Sequence, residues 1–314
     1  MDRLTEDDLA TVLALPANVY APLLAPRPEW VGDLEALYPA THPVDGLPDL
    51  ARDAGGDTRG FLLVAAPLLS EGLRRLRAGL ATLSADDAPI DPTTVECMLL
   101  PRLIGAVTEA LSLVMVLELN VARVRGTLTG GSPEERFSDF CVKLGRAEVR
   151  QALLCEYSVL FRSLHGITMD WVDFSLELLQ RLVQDWGPIR TRLSGGADPG
   201  RLVSVEGAGD AHRRGRTVAI LRFSNGFTLV YKPRSQSVDA HFGELLAWMN
   251  RAGFETPCYV PTMIDRGNYG WSEFVAHRPC ADRAGVERFY RRLGGYLAVF
   301  YAAAWARITS RDIT

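Results

Sequence analysis

The feature that most constrains this chain is an Asn-Gly pair, Asn225-Gly226, between two apolar runs rich in β-branched and aromatic residues. The runs span residues 217–223 and 227–231, and an Asn-Gly pair in that setting is the strongest short-range signal of a β-hairpin. The second run ends in Lys232, Pro233 and Arg234. Such cations are typical of a solvated strand end or of a strand that holds phosphate, and the hairpin alone leaves both interpretations open.

A change of pattern at SGGADPG, residues 194–200, separates a helical part of the chain from a part that contains the strands. Before this linker, apolar residues at three- and four-residue spacing predict helices. These helices span 61–83, 101–125, 133–144, 146–162 and 170–192. After the linker we predict further strands at 201–206, 259–264 and 270–275, and helices at 239–250, capped by Asp239, and at 283–306.

Composition and charge narrow the classes of function. The net charge of −4 and the pI near 5.8 argue against a protein that coats nucleic acid. The five cysteines include no C-x-x-C pair, so neither a disulfide framework nor a zinc knuckle is indicated. No secretory signal is present, and we expect a cytoplasmic protein. Charged residues interrupt the most apolar window, 99–119, which favours a buried helix over a membrane span.

The order of elements after the linker resembles the small lobe of a protein kinase, in which a strand lysine holds nucleotide phosphates and a helix glutamate holds the lysine. Lys232 and Glu244 are the matching residues here. A flexible ammonium stabilises phosphate charge in a transition state only when it is positioned in advance. On these residues alone, a surface lysine and a solvated helix glutamate remain the alternatives.

The sequence therefore predicts an α+β fold: a mainly helical N-terminal region, then a kinase-like small lobe with an antiparallel sheet and one helix, then the first helix of an incomplete large lobe. The predicted domains are a helical N-terminal region at 1–95, a second helical part at 96–200, and the small lobe with the start of the large lobe at 201–314.

The Gly-rich segment GAGDAHRRG, residues 207–215, is predicted to be a loop that carries Asp210 and His212. Its spacing fits neither the dinucleotide-binding nor the P-loop fingerprint. An acid and an imidazole near a phosphate site are suited to proton transfer. The alternative is a turn in which both side chains bond to local backbone.

Beyond these patterns, residues 209–250 closely resemble the dehydration domain of class II lanthipeptide synthetases, the LanM type. The family pattern runs Gly-Asp-x-His, a Gly-containing loop, Arg-x-Val, a hairpin, Tyr-Lys-Pro-Arg, and a helix that carries Phe. The positions that match are Gly209, Asp210, His212, Gly215, Val218, Tyr231, Lys232, Pro233, Arg234 and Phe242. Blocks at 117–144, 156–162, 269–280 and 290–301 extend the resemblance from about residue 95 to the C-terminus.

This resemblance implies an enzyme that uses ATP and Mg²⁺ to phosphorylate Ser or Thr of a precursor peptide with a leader, and then eliminates the phosphate to leave a dehydroamino acid. It implies that Lys232 holds the ATP phosphates and that Glu244 orients the lysine. Asp210 and His212 match residues of the dehydration chemistry, and Arg234 either contacts phosphate or braces the loop. The family's zinc site belongs to a separate cyclase domain that these residues do not include. From the charge and the apolar pattern we expect no nucleic acid partner, and membrane association is not indicated.

The family pattern continues into an Asp-x-His-x-Glu-Asn catalytic loop, and the last residues of this sequence align with its start. Asp312 stands where the catalytic Asp is expected, and Thr314 stands where the His is expected. Three hypotheses follow: an N-terminal piece of a dehydratase that is inactive alone, a stand-alone module that binds a leader peptide or a partner chain, or another kinase-like phosphotransferase. The last helix should expose an apolar stripe that a missing lobe, or a chain that supplies it, covers. The stripe residues are Phe289, Leu293, Tyr296, Leu297 and Phe300.

Overall fold

The computed structural model describes residues 28–38, 60–83, 89–212, 215–255 and 257–309, with a few positions among residues 5–19. This part of the chain contains nine α-helices and one five-stranded antiparallel sheet, which confirms the α+β fold class. The helices before the sheet are α1 (Glu29–Leu37), α2 (Leu62–Leu80), α3 (Pro92–Val124), α4 (Pro133–Leu144), α5 (Ala147–Glu156), α6 (Ser158–Gln184) and α7 (Trp186–Arg192). There follow β1 (Leu202–His212), β2 (Arg216–Phe223), β3 (Thr228–Lys232), α8 (Ser237–Arg251), β4 (Met263–Asp265), β5 (Gly270–Glu273) and α9 (Arg283–Thr309).

The chain divides into two compact units. The first comprises Met1–Gly79 and Leu100–Asp173, and the second comprises Leu80–Leu99 and Phe174–Thr314. The second unit therefore contains the whole sheet, α8 and α9. The predicted domain boundaries near residues 95 and 200 stay predictions.

The first unit is helical, and its core includes an aromatic contact with a satisfied hydroxyl. The buried Tyr38 donates a hydrogen bond of 2.9 Å from its hydroxyl to the carbonyl of Val64. Its ring packs edge-on against Phe161, with 5.0 Å between the ring centroids. Burial of a tyrosine is favourable when its hydroxyl has a partner, so this contact contributes apolar area without an unpaired polar group.

Helix α4 begins and ends where the sequence predicts. The hydroxyl of Ser132 accepts a hydrogen bond of 3.1 Å from the backbone N–H of Glu135, and the Glu135 carboxylate accepts one of 3.2 Å from the backbone N–H of Ser132. This capping box, with Pro133 in the first turn, satisfies donors that a helix N-terminus otherwise leaves unpaired. The local sequence signal is sufficient here.

Several predicted helix boundaries are wrong. The predicted helix at 146–162 is interrupted at Tyr157, and the one at 170–192 is interrupted at Asp185. Helix α3 begins at Pro92 rather than at residue 101, because Asp91 caps it by accepting a 2.9 Å bond from the backbone N–H of Thr93. Helix α6 runs without a break through residues 163–169. Its buried stripe there includes Thr168, whose hydroxyl donates to the carbonyl of Leu164 at 2.9 Å.

The strands lie in the order β1-β2-β3-β5-β4, and every neighbouring pair is antiparallel. The predicted hairpin is confirmed between β2 and β3. In its turn, Gly226 adopts a φ of 90°, and its N–H donates to the carbonyl of Phe223 at 2.9 Å. The Asn225 side chain accepts from the N–H of Phe227 at 2.8 Å. Glycine is suited to this position because it has no Cβ to oppose a positive φ.

The sheet has two different faces, because successive residues of a strand point to opposite sides. On the face we call the buried face, side chains of β2 and β3 alternate into the interior; these are Ala219, Leu221, Phe223, Leu229 and Tyr231. On the other, which we call the pocket face, Val230 and Lys232 of β3 and Ser272 of β5 line a pocket together with residues of α8.

Three further predictions in the second unit need correction. Strand β1 continues to His212, through part of the segment predicted to be a loop. Helix α8 begins at Ser237, so Asp239 lies in its first turn and is not its cap; the cap position is Gln236, without a side-chain capping bond. Strands β4 and β5 are confirmed but span only 263–265 and 270–273.

Helix α9 exposes most of its predicted apolar stripe. Phe289, Leu293, Leu297 and Phe300 are all exposed, which confirms the prediction for them. Tyr296 instead lines the pocket. The ring of Phe300 also stacks on Phe242 of α8, with 5.3 Å between the centroids and 8° between the ring planes.

Within the described residues, one helix is long and apolar enough to cross a membrane. This helix is α3, with a mean hydropathy of 1.7 over its most apolar window, of which 39% is buried inside the protein. Core helices of soluble proteins also meet these criteria. The prediction that α3 is a buried helix therefore stays a prediction.

Candidate functional site

A pocket of about 520 Å³ lies on the pocket face of the sheet, within the second unit. Cavities that hold small ligands typically measure about 300–1,000 Å³ and combine apolar walls with a few polar groups. The polar side chains that line this pocket are Lys232, Asp239, Tyr259, Ser272, Glu273 and Tyr296. Its apolar wall is formed by Val230, Phe242, Leu246, Pro261, Met263, Phe274 and Val275.

Lys232 reaches this pocket because it is the last residue of β3, directly after the inward-facing Tyr231. Its ammonium Nζ lies 3.3 Å from Oδ2 of Asp239, and its side chain keeps 24% of its exposure. The same carboxylate oxygen lies 3.3 Å from Nη2 of Arg234. One carboxylate in the first turn of α8 therefore holds two cations at the end of β3.

The structure does not place Glu244 beside Lys232. Glu244 is exposed on α8, five residues after Asp239. At 3.6 residues per turn, these two positions point about 140° apart around the helix axis. Among the described residues Asp239 is therefore the acidic partner of Lys232, and the predicted Lys232–Glu244 pairing is corrected. The predicted roles in nucleotide binding stay predictions.

The segment with Asp210 and His212 reaches the same end of the sheet as Lys232, since β1 and β3 both run antiparallel to β2. The backbone of Ala208 pairs with Val218, and that of His212 pairs with Arg216, with an irregular register in between. Between these two pairs β1 advances by four residues and β2 by only two, as in a β-bulge. Strand β2 separates this segment from β3. The proton-transfer role of both residues stays a prediction, and Asp312 lies outside the described residues.

Beneath Lys232, on the buried face, the hydroxyl of Tyr231 joins an ionic cluster. It lies 3.3 Å from Oε1 of Glu177 and also bonds to the guanidinium of Arg181, both on α6. Glu177 in turn pairs with Arg181 and with Arg216, whose Nε lies 3.3 Å from Oε1. We define these four residues, Glu177, Arg181, Arg216 and Tyr231, as the Glu177 cluster.

A second buried carboxylate anchors the β4–β5 hairpin. Asp185, which is 1% exposed, accepts hydrogen bonds from the Tyr269 hydroxyl at 2.9 Å and from Nε1 of Trp271 at 2.8 Å. It also forms an ion pair with Arg266 at 2.7 Å. The guanidinium of Arg181 lies over the Tyr269 ring, 4.1 Å from its centroid. Sequence reasoning missed this anchor and the Glu177 cluster, and the i,i+4 spacing of Glu177 and Arg181 was the one local signal.

Burial and ionic partners shift the pKa values of two groups in the Glu177 cluster, Tyr231 and Glu177. Burial raises the pKa of Tyr231 to about 12. Burial also opposes the charged form of Glu177, but the hydrogen bond from Arg216 and the charges of Arg181 and Arg216 outweigh it, so the pKa of Glu177 is lowered. Glu177 is therefore charged at neutral pH, and the Tyr231 hydroxyl keeps its proton.

Two cationic side chains that share one carboxylate lie beside the pocket. Lys232 and Arg234 offer cationic donors beside an aromatic-walled cavity, which suits phosphates and a base. In the part of the chain that the structure describes, no group of three or more His, Cys, Asp or Glu side chains comes together as metal ligands.

Two comparisons with known proteins found sequences to which this chain is similar. Residues 157–309 match the family described as a domain of unknown function, DUF4135. The chain is also 26% identical, over 208 residues, to the lacticin 481/lactococcin biosynthesis protein LcnDR2 of Lactococcus lactis subsp. lactis. That match covers 60% of this chain and 21% of the relative, so the chain spans about a fifth of the relative's length. The chain therefore carries a DUF4135 match and resembles the N-terminal region of class II, LanM-type lanthipeptide synthetases.

Proposed function

We propose that this chain contributes the nucleotide-binding lobe of a lanthipeptide dehydratase. In this proposal the enzyme phosphorylates Ser or Thr of a precursor peptide with ATP and then eliminates phosphate to give a dehydroamino acid. The observation that carries the proposal is Lys232, held by Asp239 on the wall of a pocket of about 520 Å³ that is lined by strands of the antiparallel sheet and by residues of α8 and α9. The similarity to a lantibiotic biosynthesis protein supports the substrate class.

The electrostatics of the site support phosphate binding. Lys232 and Arg234 carry two positive charges and share the single carboxylate of Asp239. Charge-assisted hydrogen bonds from such cations to phosphate are stronger than bonds between neutral groups. Asp239 holds both cations in place before the ligand arrives, and the apolar and aromatic wall suits the adenine ring. A Mg²⁺ ion bound with the nucleotide would supply neutralisation of phosphate charge.

The second step needs a proton acceptor and a leaving phosphate. The proton on Cα of the phosphorylated residue goes to a base, the Cβ–O bond breaks, and phosphate leaves with the electron pair of that bond. A double bond forms between Cα and Cβ. We assign the proton transfer to the segment that contains Asp210 and His212, because it ends at the same edge of the sheet as Lys232.

The lysine content of the chain allows a decisive test of nucleotide binding. Lys143 and Lys232 are its two lysines. An acyl-phosphate derivative of ATP transfers its acyl group to a nearby lysine, where an amide forms and ATP leaves. We expect the label on Lys232, blocked by an excess of free ATP, and none on Lys143, which lies on α4 and does not line the pocket. Peptide mapping by mass spectrometry locates the label.

Binding and chemistry are tested separately. Lys232→Ala should weaken ATP binding by about tenfold or more, as for loss of a charged phosphate contact, while the control Lys143→Ala leaves it unchanged. Equal binding by both variants would exclude the assigned role of Lys232. Mass spectrometry of a co-expressed precursor peptide then reports phosphate addition or loss of water. A chain that binds the leader peptide but neither ATP nor the probe would instead be a peptide-binding module.

A further inference from the structure

Glu177 connects the two strand ends that carry the proposed chemistry. On one side it pairs with Arg216, the first residue of β2, whose backbone pairs with His212. On the other side it contacts the hydroxyl of Tyr231, the residue directly before Lys232. All these residues belong to the second compact unit. One carboxylate of α6 therefore contacts both ends from the buried face.

The end of the β1–β2 pair needs such an anchor. Between Ala208 and His212 the register is irregular, so regular ladder bonds do not fix the strand there. The ion pair between Arg216 and Glu177 ties the first residue of β2 to a helix instead. Because the bond uses a charged, half-buried carboxylate, it is stronger than a hydrogen bond between neutral groups.

The end of β3 depends on the same carboxylate. Tyr231 and Lys232 are consecutive residues of one strand and point to opposite faces. A shift of the Tyr231 ring therefore moves the Lys232 backbone on the other side. The Tyr231 hydroxyl is fixed by Glu177 and Arg181, and its ring packs against Trp271 with 4.9 Å between the centroids.

We propose that Glu177 is a positioning residue that holds Lys232 and the Asp210–His212 segment at a fixed relative position. This inference rests on the proposed function, which assigns nucleotide binding to the Lys232 end and proton transfer to the Asp210–His212 end. The coupling between these two strand ends is a property of the folded chain itself. Glu177 contacts the sheet from the buried face and does not line the pocket. Its substitution loosens both ends at once and so weakens nucleotide binding from the opposite face of the sheet.

The test measures amide hydrogen exchange of the full chain without nucleotide. In Glu177→Gln, which keeps the side-chain shape, peptides that cover residues 207–218 and 228–236 should both exchange at least about threefold faster. Peptides from α4 should be unchanged. The control is Asp173→Asn, an exposed acid one turn earlier on α6. Faster exchange in one segment only, in neither, or equally throughout the chain would overturn the proposal.

Two further variants separate coupling from general loosening. Tyr231→Phe removes the contact to β3 and keeps the Arg216 ion pair, so it should loosen 228–236 and leave 207–218 unchanged. The double variant Glu177→Gln/Arg216→Gln should exchange at 207–218 no faster than Glu177→Gln alone, because both changes break one interaction. Additive effects would show that Glu177 does not act through Arg216.

Nucleotide binding distinguishes this inference from the proposed function. With ATP as the ligand, Glu177→Gln should raise the dissociation constant about fivefold, and Asp173→Asn should not. If the unmodified chain binds no ATP while both segments loosen as expected, the proposed function fails and the coupling stands. If ATP binds and neither segment responds, the coupling fails and the proposed function stands.

Discussion

Tyr231 and Lys232 are neighbours in sequence, yet their polar groups lie in different environments on opposite faces of the sheet. On the buried face, the hydroxyl of Tyr231 and the indole N–H of Trp271 have buried or half-buried carboxylate partners. On the pocket face, Lys232 and Arg234 share one carboxylate beside a cavity. On the buried face, polar and charged groups pair with one another inside the protein. On the pocket face, two cations share one carboxylate, so positive charge remains available to a ligand.

This difference separates stability from binding. A buried charge is tolerated only when it is paired and hydrogen-bonded, so loss of one partner is strongly destabilising. Exposed or partly exposed ion pairs contribute little to folding, because water solvates both ions in the unfolded chain. Substitutions on the buried face should therefore change the free energy of unfolding, and substitutions on the pocket face should change ligand affinity.

The largest effect is expected for Asp185. Asp185→Ala leaves the Arg266 guanidinium, the Tyr269 hydroxyl and the Trp271 N–H without their shared acceptor. We expect a loss of about 3–5 kcal/mol in the free energy of unfolding, the usual result of breaking a buried pair. Urea unfolding measures it, with Asp173→Asn as the exposed control. A loss below about 1 kcal/mol would remove the distinction between the two faces.

Tyr231→Phe should have an intermediate effect. It deletes one hydroxyl that bonds to Glu177 and Arg181 but keeps the ring contacts with Trp271 and Phe174. We expect a loss of about 1.5–3 kcal/mol, as for removal of hydrogen bonding to charged groups. The matched control is Tyr259→Phe, whose hydroxyl donates to Glu273 at an exposed position. An equal loss in both variants would contradict the comparison of faces.

Alkaline pH sharpens the same comparison. Burial raises the pKa of Tyr231 from 10.0 to about 12. A group whose pKa is raised on folding contributes stability that is fully present below its unfolded pKa and is lost as pH rises through the folded value. The difference in unfolding free energy between the unmodified chain and Tyr231→Phe should therefore be constant up to about pH 10 and narrow toward pH 12. Unfolding measured at intervals between pH 8 and that limit tests this, and a constant difference throughout would contradict it.

The sequence predicted those parts of the fold that depend on local signals. The hairpin follows from Asn225-Gly226, and α4 follows from the capping box that begins at Ser132. The sequence-based prediction failed where burial determines the extent of an element. An example is α6, where Thr168 is fully buried within a continuous helix. The Thr168 hydroxyl is satisfied by the carbonyl of Leu164 in the same helix, so this polar residue does not end the helix.

The candidate site was predictable only in part, for a related reason. Lys232 stands out in the sequence, and the alternation of β3 places it opposite Tyr231. Its acidic partner depends on where α8 begins, and a start at Ser237 turns Asp239 toward the lysine and Glu244 away from it. Glu177 and Asp185 come from a helical region that precedes the sheet by many residues, and only tertiary structure brings them to the strands.

The smallest effect on stability is expected for the ion pair on the pocket face. A double-mutant cycle of Lys232→Ala and Asp239→Asn should give a coupling free energy below about 1 kcal/mol, because the pair is partly exposed to solvent. The Lys232 side chain is 24% exposed and the Asp239 side chain is 32% exposed. The same variants should differ in ATP affinity: Lys232→Ala loses a cation at the phosphates, whereas Asp239→Asn frees two cations but no longer orients them. If the coupling free energy instead equals the loss in Asp185→Ala, Lys232 is a structural residue, and the pocket face is no more open to a ligand than the buried face.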